Sequence, residues 1–244
     1  TGYDLASAVS GSTIWAYTLR REGEVGGAMT LGEPSILTEP WNPIAGTNWL
    51  YDAMIHRAIA DVPAMPDPHT GLRWPQRIEK SEVFVKEGLP VEKTLDWVSL
   101  QFVPENQVPA DAWVDWDAAA QKFITVGEKY PDGLTANLKV ITTYPKDLFG
   151  MKWHDGSTMS VADFVMAMIM AFDQGKPESA IYDASAVPAL ESLQSHFKGT
   201  RIVSTDPLVI EYYSDQIQLD AELAAHAGAV WPTWFPTYPF GSGA

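Results

Sequence analysis

Residues 152–158 (KWHDGST), followed closely by residues 160–172 (SVADFVMAMIMAF), say more about the fold of this 244-residue chain than any other stretch. Asp155 and Gly156 are typical of a tight turn, because glycine accepts a positive φ angle and an aspartate side chain bonds to nearby backbone. The apolar run that comes next is too short for a membrane span, which needs roughly 20 apolar residues. The stretch therefore predicts a polar turn that leads into a buried helix.

The predicted helix covers residues 161–173 and has a clear beginning. Ser160 is a suitable N-cap, and Asp163, three residues later, imitates the acidic partner of a capping box. Apolar residues occupy every face of the helix, which is typical of burial within a packed protein, so we expect a scaffold element rather than a site. These residues are Val161, Phe164, Val165, Met166, Met168, Ile169, Met170 and Phe172.

Composition excludes several classes of protein. A hydrophobic fraction of 46% is too high for general disorder, and 244 residues suffice for one large domain or two small ones. The formal net charge of −15 argues against nucleic acid and anionic membrane as partners, since both require a basic surface. Because the chain has no cysteine, disulfides, thiolate catalysis and cysteine-based metal sites are excluded.

The sequence contains no recognisable catalytic or cofactor motif. Its five histidines are scattered without the spacing of metal ligands, and Asp111, Asp115 and Asp117 do not follow a calcium-loop pattern. The glycine motifs of nucleotide-binding proteins and the nucleophile motif of hydrolases do not occur in it. We therefore predict no metal, no cofactor and no enzymatic activity.

Strand and helix patterns follow one another irregularly along the chain. Alternating apolar residues predict strands, and apolar residues at helical spacing predict helices. Because there is no regular strand–helix–strand repeat, we predict an α+β fold with a mixed, mostly antiparallel sheet flanked by helices. The predicted strands are residues 12–20, 28–32, 79–86, 94–103, 138–144, 201–204 and 208–213, and the further predicted helices are residues 49–60, 115–128, 186–197 and 219–226.

The turn-and-helix stretch resembles the signature of extracellular solute-binding proteins of family 5, the peptide-binding components of ABC importers. In that family a basic residue, an aromatic residue and x-Asp-Gly-Thr precede a short spacer, Ala-x-Asp-Phe/Val-Val and a buried helix. The resemblance is strongest over residues 138–213, which include the loop at 176–182 (KPESAIY) and the hairpin at 199–210 (GTRIVSTDPLVI). Upstream, residues 41–43 (WNP) and 67–71 (DPHTG) are similar to the family's Asn-Pro segment and Asp-x-x-Thr-Gly turn.

The resemblance implies part of a two-lobe, periplasmic-binding-protein-like (class C) architecture. Because family members are considerably longer, we expect residues 1–244 to form a single, partial lobe of such a protein. Residues 88–135 are an expansion relative to the family, and the sequence assigns them no role. We recognise no signal peptide, and the resemblance implies an extracytoplasmic location, at the cell surface or in the periplasm.

The resemblance also implies where a ligand binds. In family members the ligand is held where the segment after the Asn-Pro motif meets the loop that follows the buried helix. Carried over to this sequence, Thr47, Asn48 and Trp49 would border the cleft, and Tyr182 would present its ring or hydroxyl to the ligand. Three of these residues have a plainer interpretation: Asn48 as a helix cap, and Trp49 and Tyr182 as packing residues.

The function that follows from the resemblance is capture of a peptide-like or other small solute in an interlobe cleft, without chemistry, for delivery to an ABC permease. The alternative is a carbohydrate-binding or glycoside-hydrolysing domain. Ten tryptophans and an acidic charge suit a sugar site, where rings stack on the sugar and paired carboxylates hydrolyse it. No such carboxylate pair is placed by the sequence, and some members of the importer family carry oligosaccharides, so peptide and oligosaccharide are both candidate solutes.

Overall fold

In the computed structural model the chain divides into two units. The first comprises residues 1–60 and 66–74, and the second comprises residues 61–65 and 75–244. The secondary structure of each unit is given below for the residues that the structure describes. These are residues 3–10, 13–21, 23, 62–67, 70–153 and 155–232.

The first unit contains a β-hairpin near the start of the chain. Strand β1 (Tyr3–Ser10) pairs antiparallel with β2 (Thr13–Arg21). Strand β2 confirms the strand predicted over residues 12–20, whereas no pattern in the sequence predicts β1. The strand predicted at 28–32 and the helix predicted at 49–60 lie outside the described residues.

A tight turn in the first unit confirms the turn expected at residues 67–71. The Asp67 Oδ1 atom accepts a hydrogen bond from the Thr70 amide at 2.9 Å, and the Gly71 amide donates to the Asp67 carbonyl at 2.7 Å. Gly71 has a φ angle of +75°, which glycine adopts without steric cost. Two short strands flank the turn, β3 (Ala64–Pro66) and β4 (Arg73–Pro75).

From β5 onward the second unit combines strands with helices. Two short 3₁₀ helices, Leu148–Gly150 and Ala184–Ala186, interrupt its loops. The described strands and α-helices, in chain order, are β5 (Lys80–Lys86), β6 (Val98–Val103), β7 (Asn106–Val108), β8 (Trp113–Asp117), β9 (Lys122–Thr125), α1 (Val126–Lys129), β10 (Leu134–Ala136), β11 (Leu138–Thr143), α2 (Val161–Asp173), α3 (Val187–His196), β12 (Phe197–Thr205), β13 (Leu208–Ser214) and α4 (Ala221–Gly228).

Seven of these strands form one sheet in the order β6-β5-β11-β13-β12-β8-β9. Neighbouring strands pair antiparallel except β5 and β6, which are parallel. Strands β7 and β10 form a separate antiparallel pair. Helices combined with a mixed, mostly antiparallel sheet confirm the predicted α+β fold class.

One face of the seven-stranded sheet carries the main hydrophobic core. Alternate strand residues point to the same face, and Val83, Val140 and Ile210 are buried there on three adjacent strands. The ring of Tyr144 lies 5.3 Å from that of Phe164, and the Tyr144 hydroxyl donates to the Val230 carbonyl. Helices α2 and α4 pack their buried side chains into the same core: Phe164, Met168, Phe172, Ala221, Ala224 and Ala225.

The opposite face of the sheet holds a charged cluster around Glu211. This carboxylate accepts hydrogen bonds from Arg201 Nε at 2.6 Å and the Tyr213 hydroxyl at 2.9 Å, and it lies 2.8 Å from Lys139 Nζ. Burial alone would raise the pKa of Glu211, but these partners outweigh burial and lower it. Because the charge is well partnered, the sheet tolerates a carboxylate in a nearly buried position.

Helix α2 confirms the helix predicted over residues 161–173 and its capping. The amide and hydroxyl of Ser160 donate to the Asp163 carboxylate at 2.6 and 3.2 Å. The expectation that every face is buried was wrong, because Met166 is 56% exposed. The fully buried positions recur at every fourth residue (Phe164, Met168 and Phe172), so α2 is a surface helix with one inward stripe.

The helix predicted over residues 115–128 is contradicted. The chain there forms β8 and β9, and only Val126–Lys129 is helical. The rings of Trp113 and Phe123 stack 4.3 Å apart across the two strands. The physical reason is cross-strand aromatic packing, which outweighs the helix propensity of the three alanines in the connecting turn.

The remaining predictions in the second unit are confirmed with small shifts at their ends. The hairpin joins β12 to β13 through a cis Asp206–Pro207 peptide bond, and Pro188 stands in the first turn of α3 as expected. The strands predicted at 79–86, 94–103 and 138–144 correspond to β5, β6 and β11, and the helices predicted at 186–197 and 219–226 correspond to α3 and α4.

The contact between α4 and the sheet predicts the effect of a single methyl group. A Cβ atom at Gly228 would lie 2.9 Å from Val140 Cβ and 3.1 Å from the Tyr212 ring. We expect Gly228→Ala to lower the free energy of unfolding by about 1–3 kcal/mol through overpacking, measured by chemical denaturation.

The matched control is Gly150→Ala, because no atom lies within 4 Å of a Cβ at that position. We expect this variant to stay within about 0.5 kcal/mol of the wild type. Equal stability of Gly228→Ala and the wild type would show that α4 does not rest on β11 and β13 as described.

Candidate functional site

The loop after α2, residues 174–183, is the one part of the predicted ligand site that the structure describes. Its tip is apolar and open, with Ile181 and Tyr182 each 45% exposed. Ser179, only three residues before Tyr182, is buried. The loop therefore combines an exposed tip with an anchored base.

The first anchor is the buried carboxylate of Asp173, the last residue of α2. Its Oδ1 atom accepts a hydrogen bond from Trp116 Nε1 at 2.8 Å, and its Oδ2 atom accepts one from the Ser179 hydroxyl at 2.7 Å. The Ser179 hydroxyl in turn accepts from the Ile181 amide at 3.1 Å. A chain of hydrogen bonds thus runs from β8 through α2 to the backbone of the loop tip.

The second anchor is an ion pair between the loop and β8. Lys176 Nζ lies 2.6 Å from Asp115 Oδ1, and it also donates to the Trp116 carbonyl. Lys129, at the end of α1, lies 2.8 Å from the other oxygen of Asp115. Burial would raise the pKa of Asp115, but the hydrogen bonds from Lys129, Lys176 and the Trp116 amide outweigh it and lower the pKa.

Backbone contacts close the loop at its two ends. The Asp183 amide donates to the Gln174 carbonyl at 2.8 Å. Gly175 faces α3 so closely that a Cβ atom there would lie 2.8 Å from Leu190 Cβ. Because both ends and the middle of the loop are held, its backbone has little freedom to rearrange.

Residues 88–135, to which the sequence assigns no role, contribute to both anchors of this loop. They include β6 to β9, α1 and most of β10, and they supply Asp115, Trp116 and Lys129. Sequence reasoning missed this arrangement. Asp115 and Lys176 are 61 positions apart, and nothing in a single sequence pairs two such residues.

The signature turn before α2 is formed as predicted. Asp155 Oδ1 accepts hydrogen bonds from the Ser157 amide at 2.8 Å and the Ser157 hydroxyl at 2.6 Å. Gly156 has a φ angle of +87°. His154 lies outside the described residues. The turn is thus closed by its own side chains.

A fourth buried carboxylate, Glu222 on α4, holds the connection between β5 and β6. It accepts hydrogen bonds from the Thr94 amide at 2.7 Å and from the Leu95 amide. Its second oxygen has no hydrogen-bond partner among the residues that the structure describes. Burial, together with the charge of Glu222, raises the pKa of the neighbouring Asp220. No sequence pattern had marked Glu222.

Of the four predicted ligand-binding residues, only Tyr182 can be placed. Thr47, Asn48 and Trp49 lie outside the described residues. Tyr182 lies at the loop tip and is 45% exposed, so part of its side chain is accessible to a ligand. Its role as a ligand contact stays a prediction.

Most described tryptophans are used for packing. Among the tryptophans whose side chains the structure describes, Trp74 is half exposed, and the other five contribute to hydrophobic clusters: Trp97, Trp113, Trp116, Trp153 and Trp231. Within residues 62–67, 70–153 and 155–232, no group of three or more His, Asp or Glu side chains is arranged to hold a metal ion. Across the described part of the chain, no helix has the length and apolar character needed to cross a membrane.

Comparison with known proteins adds no relative: no family model matches the chain, and no curated protein matches it. The resemblance to family 5 solute-binding proteins, the single-lobe interpretation and the extracytoplasmic location thus stay predictions.

The hydrogen bond from Ser179 to Asp173 gives a prediction about the loop. We expect Ser179→Ala to cost about 1 kcal/mol locally and to speed amide hydrogen exchange over residues 177–183 roughly fivefold, because the Ile181 amide loses its acceptor. Ser195→Ala is the control, since that hydroxyl has only local partners on α3: it donates to the Ser192 carbonyl and lies 3.5 Å from His196 Nδ1. Unchanged exchange over 177–183 would contradict the described anchor.

The lowered pKa of Asp115 gives a prediction about pH. A carboxylate with a depressed folded-state pKa stabilises the fold above its unfolded pKa, about 3.9, and loses that contribution as pH falls through the folded value. The stability advantage of the wild type over Asp115→Asn should therefore be constant between pH 5 and 7 and should shrink below about pH 4. Urea denaturation across this range measures it, with exposed Asp132→Asn as the control. An advantage that persists unchanged at low pH would refute the ionic role of Asp115.

Proposed function

We propose that this protein is a binding module that captures a peptide-like or other small solute without chemistry, as part of the receptor of an ABC importer. The observation that carries the proposal is the exposed Tyr182 on a loop whose base is fixed by Asp173 and by the Asp115–Lys176 ion pair. The loop directly follows helix α2, which corresponds to the position at which the resembled family holds its ligand.

Preorganisation is the physical reason that such a loop suits binding. A ligand that contacts a mobile loop must also order it, which costs about 0.5–1.5 kcal/mol for each side chain that becomes immobile. Here the backbone of the loop is held before any ligand arrives. Tyrosine adds a large, amphipathic contact surface with few rotatable bonds, which favours recognition of varied ligands.

On this proposal the remaining parts of the receptor follow the resembled family. Thr47, Asn48 and Trp49 would border the same cleft, a second lobe would close over the solute, and an ABC permease would receive it outside the cytoplasm. Closure would draw its free energy from contacts that the solute makes only in the closed state. Catalysis is not part of the proposal, because the sequence contains no recognisable catalytic motif.

A thermal-shift screen of the whole chain tests the proposed class. Pools of tri- to pentapeptides and of oligosaccharides would each be added at millimolar concentration, with hydrolysis followed in parallel. Binding to the native state raises Tm by mass action, so we expect stabilisation by at least one pool and no turnover. Turnover of either pool would overturn the proposal, and stabilisation by oligosaccharides alone would change the solute class.

The role of Tyr182 is tested on the ligand that the screen identifies. We expect Tyr182→Ala to weaken binding about tenfold, which corresponds to roughly 1.4 kcal/mol, with little change in Tm of the free protein. Tyr182→Phe separates the ring from the hydroxyl. Tyr130→Ala serves as the control, because Tyr130 is an exposed tyrosine beside Lys129 rather than on the loop. Equal affinity of Tyr182→Ala and the wild type would remove Tyr182 from the site.

A further inference from the structure

The two edges of the seven-stranded sheet differ in how well they are protected. At one edge, β9 is four residues long, contains Lys122, and pairs with β8 through an irregular register. At the other edge, β6 is six residues long (VSLQFV), has no charge or proline, and follows β5 in unbroken register. Natural proteins shorten, charge or distort an exposed edge, because a regular one pairs with other strands. Strand β6 has none of these protections.

The outward backbone groups of β6 can be identified from its pairing with β5. The Ser81 amide donates to the Trp97 carbonyl at 3.1 Å, and the Glu87 amide donates to the Val103 carbonyl at 2.9 Å. Backbone groups alternate in direction along a strand, so residues 97, 99, 101 and 103 bond towards β5. The amides and carbonyls of Leu100 and Phe102 therefore face the free edge, where they meet no partner strand among the described residues, whereas Val98 at the start of β6 is buried.

The side chains of β6 define two different surfaces for an added strand. Leu100 and Phe102 lie in register with Val83 and Val85, on the core side of the sheet, and Phe102 is nevertheless 46% exposed. Ser99 and Gln101 are exposed on the opposite side. An added strand would bury apolar surface on one face and remain polar on the other, so it must alternate apolar and polar residues.

The charged residues at the two ends of β6 favour a positively charged partner. Asp96 stands two residues before the strand, and Glu105 stands two residues after it. Lys93 lies 3.4 Å from Asp96 and offsets it in part, and Lys86 belongs to β5, one strand further from the edge. An extended segment that carries a basic residue at each end meets complementary charge at both ends of β6.

We propose that β6 is a docking edge for an extended, alternating segment of a basic partner protein, which adds an eighth strand to the sheet. Recognition rests on the backbone groups of Leu100 and Phe102, on burial of the exposed Phe102 ring, and on the two flanking carboxylates. The proposal is independent of the solute function, because it involves the edge of the sheet and not the Tyr182 loop.

The probe is an acetylated, amidated heptapeptide in which valine and threonine alternate between two terminal lysines. It spans about 20 Å when extended, and its lysine side chains extend that reach towards the flanking carboxylates. Titration of the whole chain by fluorescence anisotropy should give saturable binding that weakens as salt rises. The same peptide with terminal glutamates should bind at least tenfold more weakly.

A pair of substitutions isolates the backbone contribution. Phe102→Pro removes an outward amide and, as proline on an exposed edge, leaves the pairing with β5 intact, whereas Phe102→Ala shortens the side chain and keeps the amide. We expect Phe102→Pro to bind the lysine peptide at least tenfold more weakly than Phe102→Ala, at similar Tm.

Methylated peptides provide the same test without altering the protein. Methyl groups on the amides along one edge of the peptide should abolish binding, and the same number along the other edge should spare it. Equal effects of the two methylation patterns, equal binding of the lysine and glutamate peptides, or no binding at millimolar peptide would overturn the proposal. A dimer of the free chain in light scattering that Phe102→Pro converts to a monomer would also overturn it, since a second copy would then occupy the edge.

Discussion

Two neighbouring carboxylates, Asp115 on β8 and Asp173 at the end of α2, hold the sheet, the helix and the following loop in one arrangement. Each is almost buried, and each has several donors: two lysines for Asp115, and Trp116 and Ser179 for Asp173. Leaving such a carboxylate without partners is far more costly than the contacts themselves are stabilising. If the loop left its place, Asp115 would lose Lys176 and Asp173 would lose Ser179, and this constraint is what makes the loop tip a fixed platform.

The constraint depends on the hydrophobic packing behind it. Phe164, Met168 and Phe172 pack helix α2 against the sheet and thereby position Asp173 at the end of the helix. Trp113 and Phe123 stack across β8 and β9 and thereby position β8 and its residue Asp115. The apolar contacts supply most of the stability, since they remove large rings from water. The polar contacts select one geometry from those that the packing would allow, and the proposed binding role requires that selection.

Local signals account for the parts of the fold that the sequence predicts well. The Asp155–Gly156 turn, the Ser160 cap and the hairpin from β12 to β13 are each determined by residues close together in the chain, and each is confirmed. The helix predicted at 115–128 is wrong because long-range aromatic pairing decides that segment. The same reason hides Glu222 and the Asp115–Lys176 pair, whose partners are distant in sequence. Tyr182 is found only through a family resemblance, and Thr47, Asn48 and Trp49 lie outside the described residues.

A thermodynamic double-mutant cycle on Asp115 and Lys176 measures the central interaction directly. The free energies of unfolding of Asp115→Asn, Lys176→Met, the double variant and the wild type give the coupling energy between the two side chains, freed from their other contacts. For an ion pair of 2.6 Å with both groups mostly buried, the coupling should be favourable by about 1 kcal/mol or more. A coupling below about 0.3 kcal/mol would mean that the loop is not held from β8, and the preorganised platform would have no physical basis.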